Sequence, residues 1–65
     1  MDIKALKTAI DKRGIKYSAI AVHLGLSQPY VSQLLNGRRR MSVNQMNEIM
    51  KFTGVTVDEI HKSTD

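Results

Sequence analysis

Gln28, Ser32, Gln33 and Asn36 lie along one face of a short helical pattern, and Arg38, Arg39 and Arg40 follow them directly. Val31 and Leu34 recur at helical spacing on the opposite face, so the polar set is the solvent side. Side-chain amides pair with base edges and guanidinium groups pair with phosphates. Such a face beside such a loop suits the major groove of DNA. The competing reading is a plain solvated helix face followed by a solvated loop. Tyr30 stands between the two faces, either half-buried against Leu34 or turned toward a ligand.

No other cluster in the chain has the makings of a reactive site. His23 and His61 are far apart, and neither has a Cys or a carboxylate at metal-ligand spacing, so no metal site is expected. There is no Ser-His-Asp order, no glycine-rich phosphate loop and no pair of acids. The chain therefore reads as a non-enzyme without a cofactor. Met41, Met46 and Met50 read as packing residues. Asp58 and Glu59 fall in the first turn of a helix, where carboxylates favour the helix dipole.

The elements that must hold the polar face are five helices, each marked by an apolar period and a stop. Ile3, Leu6 and Ile10, with Ala5 and Ala9, predict a first helix over about residues 2 to 13, closed by Gly14. Ile20, Ala21 and Leu24 predict a second over about 17 to 24, closed by Gly25. The third runs over about 28 to 36, with Ser27 as N-cap, Pro29 in its first turn and Gly37 at its end. Val43, Met46, Ile49, Met50 and Phe52 form the apolar set of a fourth over about 43 to 53, closed by Gly54. Val57 and Ile60 mark a short fifth over about 57 to 62. Ser42 to Gln45 and Thr56 to Glu59 both fit capping boxes. Helix 2 has the weakest start, with Lys16 a poor cap and Ser18 a substitute one residue further in. Nothing alternates at period two, so the fold class is all-α.

Sixty-five residues make one small domain, and with no Cys no disulfide staples it. Through Lys51 the chain carries nine Lys or Arg against Asp2, Asp11 and Glu48; from Phe52 onward it carries Lys62 against Asp58, Glu59 and Asp65. A basic body with a mildly acidic end points to a polyanion on one side. No apolar run approaches the ~18 residues of a membrane span, and the N-terminus has no secretory core. The expectation is a cytoplasmic chain with no membrane partner.

The stretch from Tyr17 to Asn36 resembles the helix-turn-helix of lambdoid phage repressors and Cro proteins, and of the wider XRE-like regulators. Ala21 holds that family's small position on the first helix, Gly25 its turn glycine and Val31 its β-branched position on the second. Ile20, Leu24, Leu26 and Leu34 fill its apolar positions, and Gly54 to Ile60 resembles its closing turn and fifth helix. The resemblance covers about residues 3 to 62, within a single domain spanning 1–65. It implies a compact five-helix bundle whose third helix enters the major groove. It assigns base reading to Gln28, Pro29, Ser32 and Gln33, and backbone contact to Lys16, Tyr17, Ser27, Asn36, Arg38, Arg39, Arg40 and Ser42. Lys16-Tyr17 departs from the family's usual polar cap followed by Gln.

The function this implies is a sequence-specific regulator of transcription, a repressor whose homodimer covers a palindromic operator on double-stranded DNA. The dimer contact would fall near Val55, Val57 and Ile60. A second reading is an antitoxin-like or adaptor module whose main task is gripping a protein partner. Single-stranded or RNA binding has only Tyr17 and Tyr30 as stacking aromatics to support it.

Overall fold

Leu6, Ile10, Ile20, Val31, Leu34, Leu35 and Ile49 are fully buried, so each of the first four apolar stripes supplies the centre of one core. The computed structural model describes residues 3–61, His61 by its backbone only. Its helices are α1 (Ile3–Lys12), α2 (Tyr17–Leu24), α3 (Gln28–Leu35), α4 (Val43–Thr53) and α5 (Val57–His61). The described residues contain no strand. The chain is all-α, with five helices in the expected order. The expected ends at residues 2 and 62 lie outside the described residues. α3 stops one residue early because Asn36 leaves helical geometry, at φ −95° and ψ 4°.

α2 packs against α3 and α4, while α1 packs against α3 and α5. The radius of gyration is 10.7 Å, the compactness expected of a folded chain this long. Both predicted capping boxes form. Ser42 Oγ accepts from Gln45 N–H (3.0 Å), and Gln45 Oε1 accepts from Ser42 N–H (3.0 Å). Thr56 and Glu59 make the same exchange at 3.2 and 3.3 Å. α2 starts on Lys16 with no side-chain cap, so Ser18 does not take that role.

Five residues cannot sustain a helix alone, so α5 depends on its anchors. Arg13 donates to both carboxylate oxygens of Glu59, at 2.8 and 2.6 Å, and also reaches the carbonyls of Ala9 and Gly54. The Arg13 guanidinium, helped by the Thr56 N–H, holds the Glu59 carboxyl down at about 2.

Two expectations about apolar residues are corrected. Val43 is 67% exposed and Phe52 41% exposed. The buried stripe of α4 runs Met46, Ile49, Thr53, which turns Phe52 one position off it. Its ring stacks instead on His23 of α2, centroids 4.6 Å apart. Thr53 sinks because its hydroxyl donates to Ile49 O (2.7 Å) and accepts from Val55 N–H (3.4 Å). Val55 and Ile60, expected at a subunit contact, are buried in this chain's own core. Of that set only Val57 faces solvent, at 56%.

Candidate nucleic-acid interface

The reading face exists because α2 and α3 are joined by a turn that only a left-handed residue completes. Gly25 takes φ 70°, which L side chains adopt at a cost of about 1–2 kcal/mol. Its N–H bonds Val22 O (3.3 Å) and the Leu26 N–H bonds Ala21 O (2.9 Å), capping α2 while the chain reverses. Ala21 and Val31 are both buried in the cluster between the helices. Ser27 then opens α3, its Oγ accepting from Tyr30 N–H at 3.2 Å.

With Val31, Leu34 and Leu35 turned inward, α3 presents the polar set outward. Gln28, Pro29 and Asn36 are exposed, and Ser32 and Gln33 are half-buried. Gly37, at φ 75°, ends the helix so that the Arg38 N–H bonds Gln33 O (2.9 Å) and the Gly37 N–H bonds Leu34 O (3.3 Å). Arg38 and Arg39 therefore leave the helix beside the face rather than beyond it. Ser32, Gln33, Asn36 and Arg38 line one open pocket of about 450 Å³.

Side-chain bonds within this face are specific. Arg39 Nε donates to Gln33 Oε1 (3.2 Å), and its guanidinium lies 5.8 Å from the centre of the Tyr30 ring. Asn36 Nδ2 donates to both the carbonyl (2.7 Å) and the hydroxyl (3.2 Å) of Ser32. Tyr30 is half-buried, as the first of its two expected roles requires. The Ser32–Asn36 pair was foreseeable from its i,i+4 spacing. The Gln33–Arg39 bond was not, since it needs the turn at Gly37.

The charge is not cancelled locally. From Lys12 to Asn47 the chain carries no Asp or Glu. Among the described residues, Arg38, Arg39 and Arg40 are exposed and unpaired with any carboxylate. Three carboxylates are engaged elsewhere: Asp11 with Lys7 (3.2 Å), Glu48 with His23 (3.6 Å) and Glu59 with Arg13.

The flanking residues divide. Lys16 is exposed at the start of α2, where the Tyr17 and Ser18 N–H groups find no acceptor among the described residues. Ser42 is exposed, and beside its capping box the Val43 and Asn44 N–H groups find no acceptor among the described residues. Tyr17 is engaged otherwise. Its hydroxyl donates to Asp11 Oδ1 (3.1 Å), and burial together with that bond raises its pKa. A phenol whose proton is committed to a carboxylate has none to offer a phosphate. Among the described residues no helix is long and apolar enough to cross a membrane.

Fold and face together define a helix-turn-helix DNA-binding domain. The family model described as helix-turn-helix domain matches residues 5–62, and the chain belongs to that family. No curated protein and no solved structure matches the chain.

Proposed function

We propose that residues 1–65 form a single Cro/C1-type, XRE-like domain that regulates transcription by binding a specific double-stranded operator. The observation that carries this reading is the polar face of α3 running into three arginines that no carboxylate neutralises. An α-helix with its side chains is about 10–12 Å across, which fits a major groove about 12 Å wide. Gln28 has no partner among the described residues, so its amide is free to pair bidentately with adenine N6 and N7. Pro29 offers its ring to a thymine methyl. Ser32 and Gln33 contact base edges further along. Lys16, Ser27, Asn36, Arg38, Arg39, Arg40 and Ser42 hold the phosphate backbone, and Tyr17 joins them only by giving up Asp11. Free amides at the starts of α2 and α4 add to the clamp.

A monomer this small makes a modest contact, and a homodimer on a palindromic site supplies the rest. Repression follows if that dimer covers a promoter. With Val55 and Ile60 buried, Val57 is the exposed residue around which such a contact would form.

One observation favours the protein-binding reading. Val22 is 83% exposed on α2, and the neighbouring His23 stacks on exposed Phe52. Selection of bound sequences from a random duplex library at ~150 mM salt, where purely electrostatic binding is weak, separates the two. An enriched inverted repeat with half-site centres about 10 base pairs apart supports a dimeric operator binder. No enrichment by a folded protein moves the function to a protein partner.

A further inference from the structure

Hydrogen bonds inside the α3 face decide what it can offer a ligand. Arg39 has donors only, so Gln33 must meet it with the carboxamide oxygen. That leaves the Gln33 Nε2 group, a pure donor, with no partner among the described residues. The Ser32 carbonyl is a pure acceptor, so Asn36 must meet it with its nitrogen. The same nitrogen donates to Ser32 Oγ, which leaves the hydroxyl proton to point away. Arg38, also donors only, completes the pocket these side chains share. Gln28 differs, because nothing among the described residues fixes either end of its amide.

We propose that the second half of α3 is a reader in which Arg39 and Asn36 orient the Gln33 and Ser32 donors toward a DNA edge that presents paired acceptors, namely the N7 and O6 of guanine. The inference rests on the DNA-binding reading and deepens it. Adenine offers N7 beside an N6 donor, so it satisfies one of the two protein donors and opposes the other; guanine satisfies both. A freely turning glutamine accommodates adenine, as Gln28 does. Gln33 cannot, while Arg39 holds its oxygen. Arg39 is thus a positioning residue for base choice, and its place over the Tyr30 ring limits where its guanidinium can swing. Covering this face with a duplex removes water and strengthens the Arg39–Gln33 bond. Phosphate oxygens offer the same acceptor chemistry, so the test must separate the two sources.

The experiment starts with sequences selected by the wild-type protein. The expected half-site contains a guanine whose replacement by adenine lowers affinity on the order of tenfold. Arg39→Ala is then measured on both duplexes, with Arg39→Lys to restore charge without the planar fork. The guanine-over-adenine ratio falls toward one in Arg39→Ala, and Arg39→Lys recovers overall affinity but not the ratio. Replacing the guanine by 7-deazaguanine, which lacks the N7 acceptor, weakens the wild type more than it weakens Gln33→Ala. Equal losses on both duplexes in Arg39→Ala, or a selected half-site without guanine, overturn the proposal. If neutral methylphosphonates reproduce the loss and 7-deazaguanine does not, the acceptors are phosphates and the guanine assignment falls. A wild type that selects no sequence at all removes the base-reading function itself, and this inference with it.

Discussion

Arg38 and Arg40 are both exposed, and neither is paired with a carboxylate, so each can neutralise one phosphate and release its counterion. Each such contact steepens the fall of log K with log salt by about 0.9. Replacing both by alanine should flatten the slope by about 1.8. Between about 50 and about 200 mM salt, the wild type should then lose about twelvefold more affinity than the double variant. The change should be the same on any sequence, because phosphates carry no base identity. Restoring charge with two lysines should restore the slope. Arg13 is the internal control: its guanidinium is already occupied by Glu59, so Arg13→Ala should leave the slope unchanged although it too removes a positive charge. The assay is fluorescence anisotropy of a labelled random duplex across a salt series. An unaltered slope in the double variant would refute the clamp. Equal flattening in Arg13→Ala would show that net charge matters and position does not.

Three further outcomes follow from local geometry. The Glu59 carboxyl is held at about 2 against an ordinary 4.5, so it binds its proton more weakly folded than unfolded. Its contribution is complete above about 4.5 and is lost as pH falls toward about 2, a modest effect because solvent screens the pair. Glu59→Gln should abolish that part of the pH dependence of melting, and parallel melting curves for the two proteins would contradict it. Gly25→Ala meets nothing within 4 Å, so its cost is backbone strain alone, about 1–2 kcal/mol, or roughly 4–8 °C of melting temperature per kcal/mol. A loss beyond ~3 kcal/mol would mean the methyl group meets neighbours after all. Gln28→Ala should relax base preference at one position of each half-site and cost ~1–3 kcal/mol, whereas equal losses on specific and random duplexes would take away its reading role.

The helices were legible because their signals are local. A capping box or a Gly stop acts within four residues, and every predicted helix formed. Burial was less legible because it depends on which side of a helix meets a neighbour. Val43 and Phe52 fit the apolar pattern of α4, yet packing on α2 selects the Met46, Ile49, Thr53 stripe. Thr53 carries no hydrophobic signal and is buried by hydrogen bonds that satisfy its hydroxyl. The sequence resemblance implies a subunit contact near Val55 and Ile60; both are buried in the core, where α5 docks on α1 and is held by an Arg13–Glu59 bond spanning 46 residues. Within the candidate face, residue types were readable and hydrogen-bond roles were not. Which end of an amide faces outward depends on what meets the other end.

One arrangement recurs across the face, and it makes stability and binding separable. Ser27, Ser32 and Ser42 each use the hydroxyl oxygen as an acceptor inside the protein, from Tyr30 N–H, Asn36 Nδ2 and Gln45 N–H. Each is left with a proton to donate outward. The bond that caps a helix therefore also turns the surface into donors, which is what phosphates require. The exception is Asn36, whose Oδ1 remains an outward acceptor. Ser42 is the clean place to divide the two effects. Ser42→Ala removes the cap and should cost about 1 kcal/mol of stability. Ser42→Asp keeps a capping oxygen and adds a charge that favours the helix dipole, so melting should be unchanged or higher. It nevertheless replaces a donor by an anion where a phosphate must approach, and DNA affinity should fall on every sequence. Melting and anisotropy on the same preparations decide it: if Ser42→Asp binds as tightly as the wild type, Ser42 is a helix cap and lies outside the interface.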